Sequence, residues 1–281
     1  MRRFVLAALL CLIASVAWAN NPFVGYYYPA KSTPCSPLCT SISATLTIPT
    51  VTDSGDGGDE LVVGWIGISG SGGSLGQIGF QITPIGGNAG CLLFYENYGG
   101  SVDNTPRVLS NGCQAGDKVF VSITCTSNCG SLNASQTWDL VLNDITQNLN
   151  FTMTGKPYEL AMTIAQVLIE IQASHGTGNF AAQIDQFAVC TTGAANCTPT
   201  LTTLTSAMCV CTPQENFNGN PAIADRYTIA GAPFGAGPGD GAAVAGSSFL
   251  VSGGFTTSRA AYAGAISLPS PRGTAGAGLG P

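Results

Sequence analysis

Charge and histidine are what this chain has least of. Charged residues make up 9% of its 281 positions, against roughly 25% in an average soluble protein. Histidine occurs once, at His175, which leaves no histidine cluster for a zinc site and almost no choice of base for a serine or cysteine nucleophile. Basic residues are also short: 9 Lys+Arg face 15 Asp+Glu, for a net charge of −6 and a pI near 4.5. Nucleic acid, which needs a basic face, is thereby excluded as a partner. No apolar run long enough to span a bilayer follows residue 19, so no membrane association is expected once the leader is gone. What chemistry remains must come from carboxylates, amides and hydroxyls, without metal or cofactor.

The leader itself is legible. Arg2 and Arg3 precede the apolar run Phe4–Val16, and Ala17-Trp18-Ala19 supplies a small-x-small cleavage pattern. Residues 1–19 therefore read as a signal peptide and the product as secreted, extracellular or periplasmic in a Gram-negative host. Of the 11 cysteines, all but Cys11 follow the leader. An even set in an oxidising compartment reads as disulfides. Cys35 with Cys39, Cys125 with Cys129 and Cys190 with Cys197 are close enough for local loops, and Cys91 with Cys113 flank a strand and loop that a bridge would staple. Zinc ligation by the same clusters is the competing reading, and the connectivity stays open. Cys209-x-Cys211 is too tight to bridge itself.

Period-two alternation dominates the middle of the chain. Ile42, Ala44, Leu46 and Ile48 form one such face, Val119, Val121 and Ile123 another, and Trp138, Leu140 and Leu142 a third. Leu149, Phe151 and Met153 follow a turn near Asn143-Asp144, which predicts a hairpin. Further strands are expected over 61–68, 76–84, 90–98 and 179–189. The segment 158–172 suits helix or strand, and its Val167-Leu168-Ile169 run favours strand. Many strands with no alternating helices predict an all-β sandwich of two antiparallel sheets over residues 20–198. Residues 199–281 turn Thr-rich and then Gly-, Ala- and Pro-rich. Thr200–Thr212 leaves room for one last strand, and the region as a whole is expected to be loosely ordered, a tail without periodicity from Gly219 and dispensable beyond about residue 215.

Three local motifs have bland readings beside sharp ones. The loop 53–60 carries Asp53, Asp56, Asp59 and Glu60 among glycines, which suits calcium or plain solvation, and it lacks a bidentate closing glutamate. Gly72-Gly73-Ser74-Leu75-Gly76 matches a nucleophile elbow in letters only, since no strand-to-helix turn follows. Asn133, Asn150 and Asn196 open glycosylation sequons, meaningful only in a host that glycosylates.

A constellation spread over four segments is more informative. In Leu75-Gly76-Gln77-Ile78-Gly79-Phe80-Gln81, the apolar Ile78 and Phe80 face one way and Gln77, Gly79 and Gln81 the other. In 165–172, Val167, Ile169 and Ile171 oppose Gln166, Leu168, Glu170 and Gln172. Phe94, Glu96 and Tyr98 share a face, and Trp65 enters a glycine-rich turn at Trp65-Ile66-Gly67-Ile68-Ser69-Gly70. Ordinary solvent-facing polarity would also account for these amides and carboxylates.

Taken in order, however, these segments resemble the eqolisins, the glutamic peptidases. That family carries W-V-G-I-D-G, Q-x-G, W-Y-E-W-Y, A-G-D and a closing A-E-aromatic-aliphatic-aliphatic-E. Here stand Trp65-Ile66-Gly67-Ile68, Gln77-Ile78-Gly79, Phe94-Tyr95-Glu96-Asn97-Tyr98, Ala115-Gly116-Asp117 and Ala165-Gln166-Val167-Leu168-Ile169-Glu170. Ser43–Pro49 is similar to the family's early strand, so the resemblance covers roughly residues 22 to 192. It implies a concanavalin-like sandwich and an acid-acting endopeptidase, monomeric, taking protein or peptide substrates. Its dyad would be Gln77 and Glu170, with Trp65, Glu96 and Tyr98 lining the substrate cleft. Ser69 and Gln166 stand where the family has acids, Gln81 stands near a third such position, and no long basic propeptide follows the leader. The competing reading is a non-catalytic concanavalin-like sandwich that binds glycans or a surface partner.

Overall fold

The computed structural model describes residues 23–29, 34–36, 38–52, 61–70, 75–83, 90–98, 106–131, 136–158, 162–171, 176–205, 208–210, 227–230 and 247–257. The leader, the 53–60 loop, Ser74 and His175 lie outside them. The strands run in chain order as β1 (Phe23–Tyr28), β2 (Ser41–Thr47), β3 (Val62–Gly70), β4 (Leu75–Ile82), β5 (Cys91–Tyr98), β6 (Arg107–Ser110), β7 (Lys118–Ser127) and β8 (Gln136–Asp144). They continue as β9 (Leu149–Tyr158), β10 (Met162–Ile171), β11 (Gly176–Cys190), β12 (Thr200–Leu201), β13 (Cys209–Val210), β14 (Tyr227–Ala230) and β15 (Phe249–Thr257). No α-helix occurs among the described residues. Two antiparallel sheets form, one ordered β13-β1-β10-β3-β4-β5-β6 and the other β14-β15-β11-β2-β7-β8-β9, with β12 added to β11. The predicted all-β, two-sheet architecture is thus the observed one.

Alternation decides which face each strand gives to the core. In β7 and β8 every second residue is buried, because one face of the eight-stranded sheet packs inward and the other meets water. Ile42, Leu46, Val121, Ile123 and Trp138 from that sheet pack against Ile66, Ile68, Ile78, Phe80, Val167 and Ile169 from the seven-stranded sheet in one apolar cluster. Strand β3 behaves differently. From Val62 to Ile68 it is buried on both faces, so the outward side of the seven-stranded sheet is covered as well. A second small cluster of Val63, Trp65, Phe94 and Leu168 accounts for that covering.

Four disulfides are present among the described cysteines: Cys35–Cys39, Cys91–Cys113, Cys125–Cys129 and Cys190–Cys197. These pairings displace the zinc reading for those eight residues. Residues 199–281, expected to form a loose tail, contribute three strands to the eight-stranded sheet, β12, β14 and β15, and β13 to the other sheet. β15 pairs with β11 from Gly176↔Thr257 to Ile184↔Phe249, and β14 pairs with β15. Phe249 is buried against Tyr26 of β1, ring centroids 4.7 Å apart in an edge-on contact. Composition hid these strands, since glycine-rich segments carry little periodic signal; the ladder to β11 supplies what propensity does not.

A partly buried polar knot lies where β7 begins and β8 ends. Gln114 N–H and Gln147 Nε2 both donate to Asp117 Oδ2, at 2.8 and 2.5 Å, and Gln147 N–H donates to Asp144 Oδ1 at 3.0 Å. Asp144 is fully buried, and its Oδ2 has no partner among the described residues. Burial first, then the neighbouring Asp117 carboxyl, raise its pKa above the ordinary aspartate value, against an opposing backbone hydrogen bond from Gln147. A group whose pKa is raised by folding stabilises the fold below its unfolded pKa and loses that contribution as pH rises through the folded one. Thermal midpoints measured from about pH 3 to about pH 8 are therefore expected to decline towards the neutral end. Asp144→Asn, which cannot ionise, should reduce that slope.

Candidate functional site

The site is built on the outward face of the seven-stranded sheet, and register assembles it row by row. Tyr27 of β1 lies opposite Gln166 of β10, Gln166 opposite Gly67 of β3, Gly67 opposite Gln77 of β4, and Gln77 opposite Glu96 of β5. The next row runs Gly25, Leu168, Trp65, Gly79, Phe94. A third contains Glu170, Val63, Gln81 and Leu92. Partners in a row share a face, so the antiparallel pairing brings the amide of Gln77 and the carboxyls of Glu96 and Glu170 to one side of the sheet.

Two glycines shape the surface between them. A Cβ on Gly79 would run into the Gly64 carbonyl oxygen and come within 2.7 Å of the Trp65 Cα, so only glycine fits there. A Cβ on Gly67 would lie 2.7 Å from Cζ3 of Trp65 and 2.9 Å from Cδ1 of Leu75. The Trp65 ring therefore lies over Gly67 and reaches along the sheet.

Hydrogen bonds then tie the polar groups together. Trp65 Nε1 donates to Glu170 Oε2 at 3.3 Å. Gln77 Nε2 donates to Glu96 Oε2 at 2.5 Å. Gln166 Nε2 donates to Ser69 Oγ, also at 2.5 Å. None of these groups is a solvated surface residue: exposure is 3% for Gln77, 1% for Glu96, 7% for Gln166 and 6% for Glu170. This corrects the solvent-facing reading, because a buried amide or carboxyl that served no purpose would cost free energy.

Burial, the largest effect, pushes the Glu96 pKa up to about 7; the Gln77 hydrogen bond opposes this and the charge of Glu170 adds to it. Burial and then Glu170 likewise push the Tyr27 phenol up to about 12. Glu170 is thus within electrostatic reach of both Glu96 and Tyr27. The described cations, Arg107, Lys118 and Lys156, stand on β6, β7 and β9, outside these three rows. No group of three or more potential metal ligands occurs among the described residues.

Of the residues singled out from sequence, Gln77, Glu170, Trp65 and Glu96 come together here. Tyr98 occupies the last position of β5 opposite Leu75, and its side chain lies outside the described residues. Tyr27 was missed. Its Tyr26-Tyr27-Tyr28 run sits between prolines close behind the leader, and an unbroken aromatic run shows no alternation. Ser69 and Gln166 were legible as departures from acidic residues, and the structure shows them hydrogen-bonded to one another.

The chain matches the family model described as the Peptidase A4 family over residues 30–216. Among solved structures it is similar to scytalido-glutamic peptidase with a transition state analog inhibitor, at 15% identity and a TM-score of 0.49, covering 84% of this chain and 98% of that one. The same peptidase with a peptide-based transition state analog gives 16% identity and a TM-score of 0.45, over 67% and 96%. SCP-B, a member of the Eqolisin family of peptidases in complex with the tripeptide Ala-Ile-His, gives 15% and 0.45, over 83% and 98%. No curated protein matches the chain in sequence.

Proposed function

The chain belongs to the peptidase A4 family, the eqolisins, and is a glutamic peptidase acting on protein or peptide substrates; from that premise we propose that Gln77 and Glu170 are its catalytic dyad. The observation carrying this reading is the buried cluster in which an amide and two carboxyls share one face of the sheet, with a tryptophan N–H fixing Glu170. Glu170 takes the proton of an attacking water as general base and returns it to the leaving amine as general acid. Gln77 orients that water and donates an amide N–H to the oxyanion that forms on the scissile carbonyl. Water attacks directly, so no acyl-enzyme forms. Trp65 and Tyr98 shape the substrate cleft.

The acid–base group is a carboxyl, a side-chain type that ordinarily titrates near about pH 4, and the enzyme works in acid. It is exported, acts as a monomer and requires no metal or cofactor. The four disulfides support export, and no helix among the described residues is long and apolar enough to cross a membrane. A lectin-like sandwich would have no use for the buried amide–carboxyl arrangement.

The test is digestion of an unfolded protein across a pH series, with products mapped by mass spectrometry. Cleavage is expected in acid, unaffected by serine-directed acylating agents, thiol reagents, chelators or pepstatin-like compounds. Inactivation by a chelator would make the 53–60 loop a required calcium site, and absence of cleavage at every pH would favour the non-catalytic reading.

A further inference from the structure

Glu96 was expected to line the substrate cleft. We propose instead that it is a positioning residue: its carboxyl, in the protonated form, holds one N–H of the Gln77 amide so that the other is presented to the reacting carbonyl. The inference rests on the Gln77/Glu170 reading and assigns this chain's Glu96 a part in it.

A primary amide has two nearly isosteric ends, one donating and one accepting, and a half-turn about its last bond exchanges them. With the accepting end forward, Gln77 would set a lone pair against the developing oxyanion. Something must therefore fix the orientation. Glu96 Oε2 accepts from Gln77 Nε2, and the two residues are direct cross-strand partners. With its acid proton on Oε1, Glu96 offers Oε2 only as an acceptor, so this contact commits the nitrogen to the Glu96 side and leaves its second hydrogen for the substrate.

The state of Glu96 follows from what surrounds it. It is 1% exposed, and its second oxygen, Oε1, has no partner among the described residues. An ionised carboxyl there would leave an uncompensated buried charge. From β10 it faces Glu170, of like charge, and from β1 the phenol of Tyr27 belongs to the same row. Gln77 on β4 and Trp65 on β3 bring no charge. Arg107 of β6 is the partner of Tyr95, and Lys156 of β9 lies 5.2 Å over the Tyr95 ring; Tyr95 alternates to the opposite face of β5 from Glu96. The Ser69–Gln166 bond is neutral at every working pH. Among the described residues that face it, then, no cation offsets the burial of Glu96, which keeps its proton up to about pH 7. Above that pH a carboxylate beside Gln77 repels the oxyanion, and turnover falls.

The experiment compares Glu96→Ala and Glu96→Gln by kcat, KM and pH profile, with thermal midpoints as a check on folding. Glu96→Ala frees the amide and should lower kcat about 10²-fold with little change in KM, the scale of a misplaced catalytic group. Glu96→Gln accepts the same hydrogen bond without ionising. It should stay within about fivefold of wild type in acid, a small fraction of the loss expected for the alanine variant, and lose the fall in rate near pH 7. In a Gln77→Ala background, Glu96→Ala should add almost nothing, because the residue acts through Gln77. Wild-type kcat in folded Glu96→Ala would overturn the proposal. So would equal losses in both variants with the neutral-side fall unchanged in Glu96→Gln. If Gln77→Ala and Glu170→Gln are inactive while Glu96→Ala is not, only the role of Glu96 is refuted. Activity in all of them refutes the dyad itself.

Discussion

Glu170→Gln is expected to lower kcat/KM by about 10²–10⁴-fold, because it keeps the size and shape of the side chain and removes the proton acceptor. Gln77→Ala is expected to lose about 10²–10³-fold by removing an oxyanion donor. The double variant should be little worse than Glu170→Gln alone, since both groups act on one water. Thermal behaviour separates the two. The glutamine amide oxygen can still accept from Trp65 Nε1, so Glu170→Gln should melt near the wild type. Gln77→Ala strips Glu96 of its described partner, which leaves a buried polar group unpaired at about 1–3 kcal/mol. Gln166→Ala serves as a control on the same face. It breaks the bond to Ser69 and should cost far less activity. Near-native proteolysis by folded Glu170→Gln would refute the dyad and leave the catalytic carboxyl to be sought elsewhere.

The second large effect is on stability. Phe249 is 2% exposed and packs edge-on against Tyr26. Phe249→Ala should therefore destabilise the protein by about 3–5 kcal/mol, the usual range for a phenylalanine cut from a core. A chain ended after residue 216, where the family match stops, should be destabilised in the same direction. It loses Phe249 and also the β15 ladder that covers β11 from Gly176 to Ile184. Urea unfolding of both, with Leu201→Ala as a control at a 68% exposed site, would decide the matter. A truncated chain as stable as the full one would restore the boundary that composition suggested.

Both experiments bear on one strand. Tyr26 faces the core and meets Phe249, and Tyr27, next along β1, faces the site and feels Glu170. Residues after 216 thus reach, through one edge-on aromatic contact, the strand paired with β10, which carries the proposed base.

Most of the sheet was legible in advance because its strands obey alternation. Ile78 and Phe80 packing inward, with Gln77 outward, follows from a period of two and needs no knowledge of what the strand touches. The same rule placed Val167 and Ile169 in the core and Glu170 opposite. It failed at β1, where three tyrosines run together, and at β15, where Gly253 and Gly254 interrupt the pattern. Those strands exist because neighbours offer them a ladder and a pocket.

The sequence by itself determined the class of chemistry and the face on which it would sit. One histidine and few charges left amides and carboxyls as the reactive groups, and alternation put Gln77, Glu96 and Glu170 on the sides of their strands away from Ile78, Tyr95 and Ile169. Only the tertiary structure decided that this face is buried and which groups meet. Contact between β3, β4, β5 and β10 depends on the order of strands in the sheet and on register, quantities set by pairing between segments up to about a hundred residues apart. Burial in turn changed what the groups are. A glutamate that in water would be charged above about pH 4 holds its proton to about pH 7 beside Gln77, because the strands around it exclude the solvent that would have stabilised its charge.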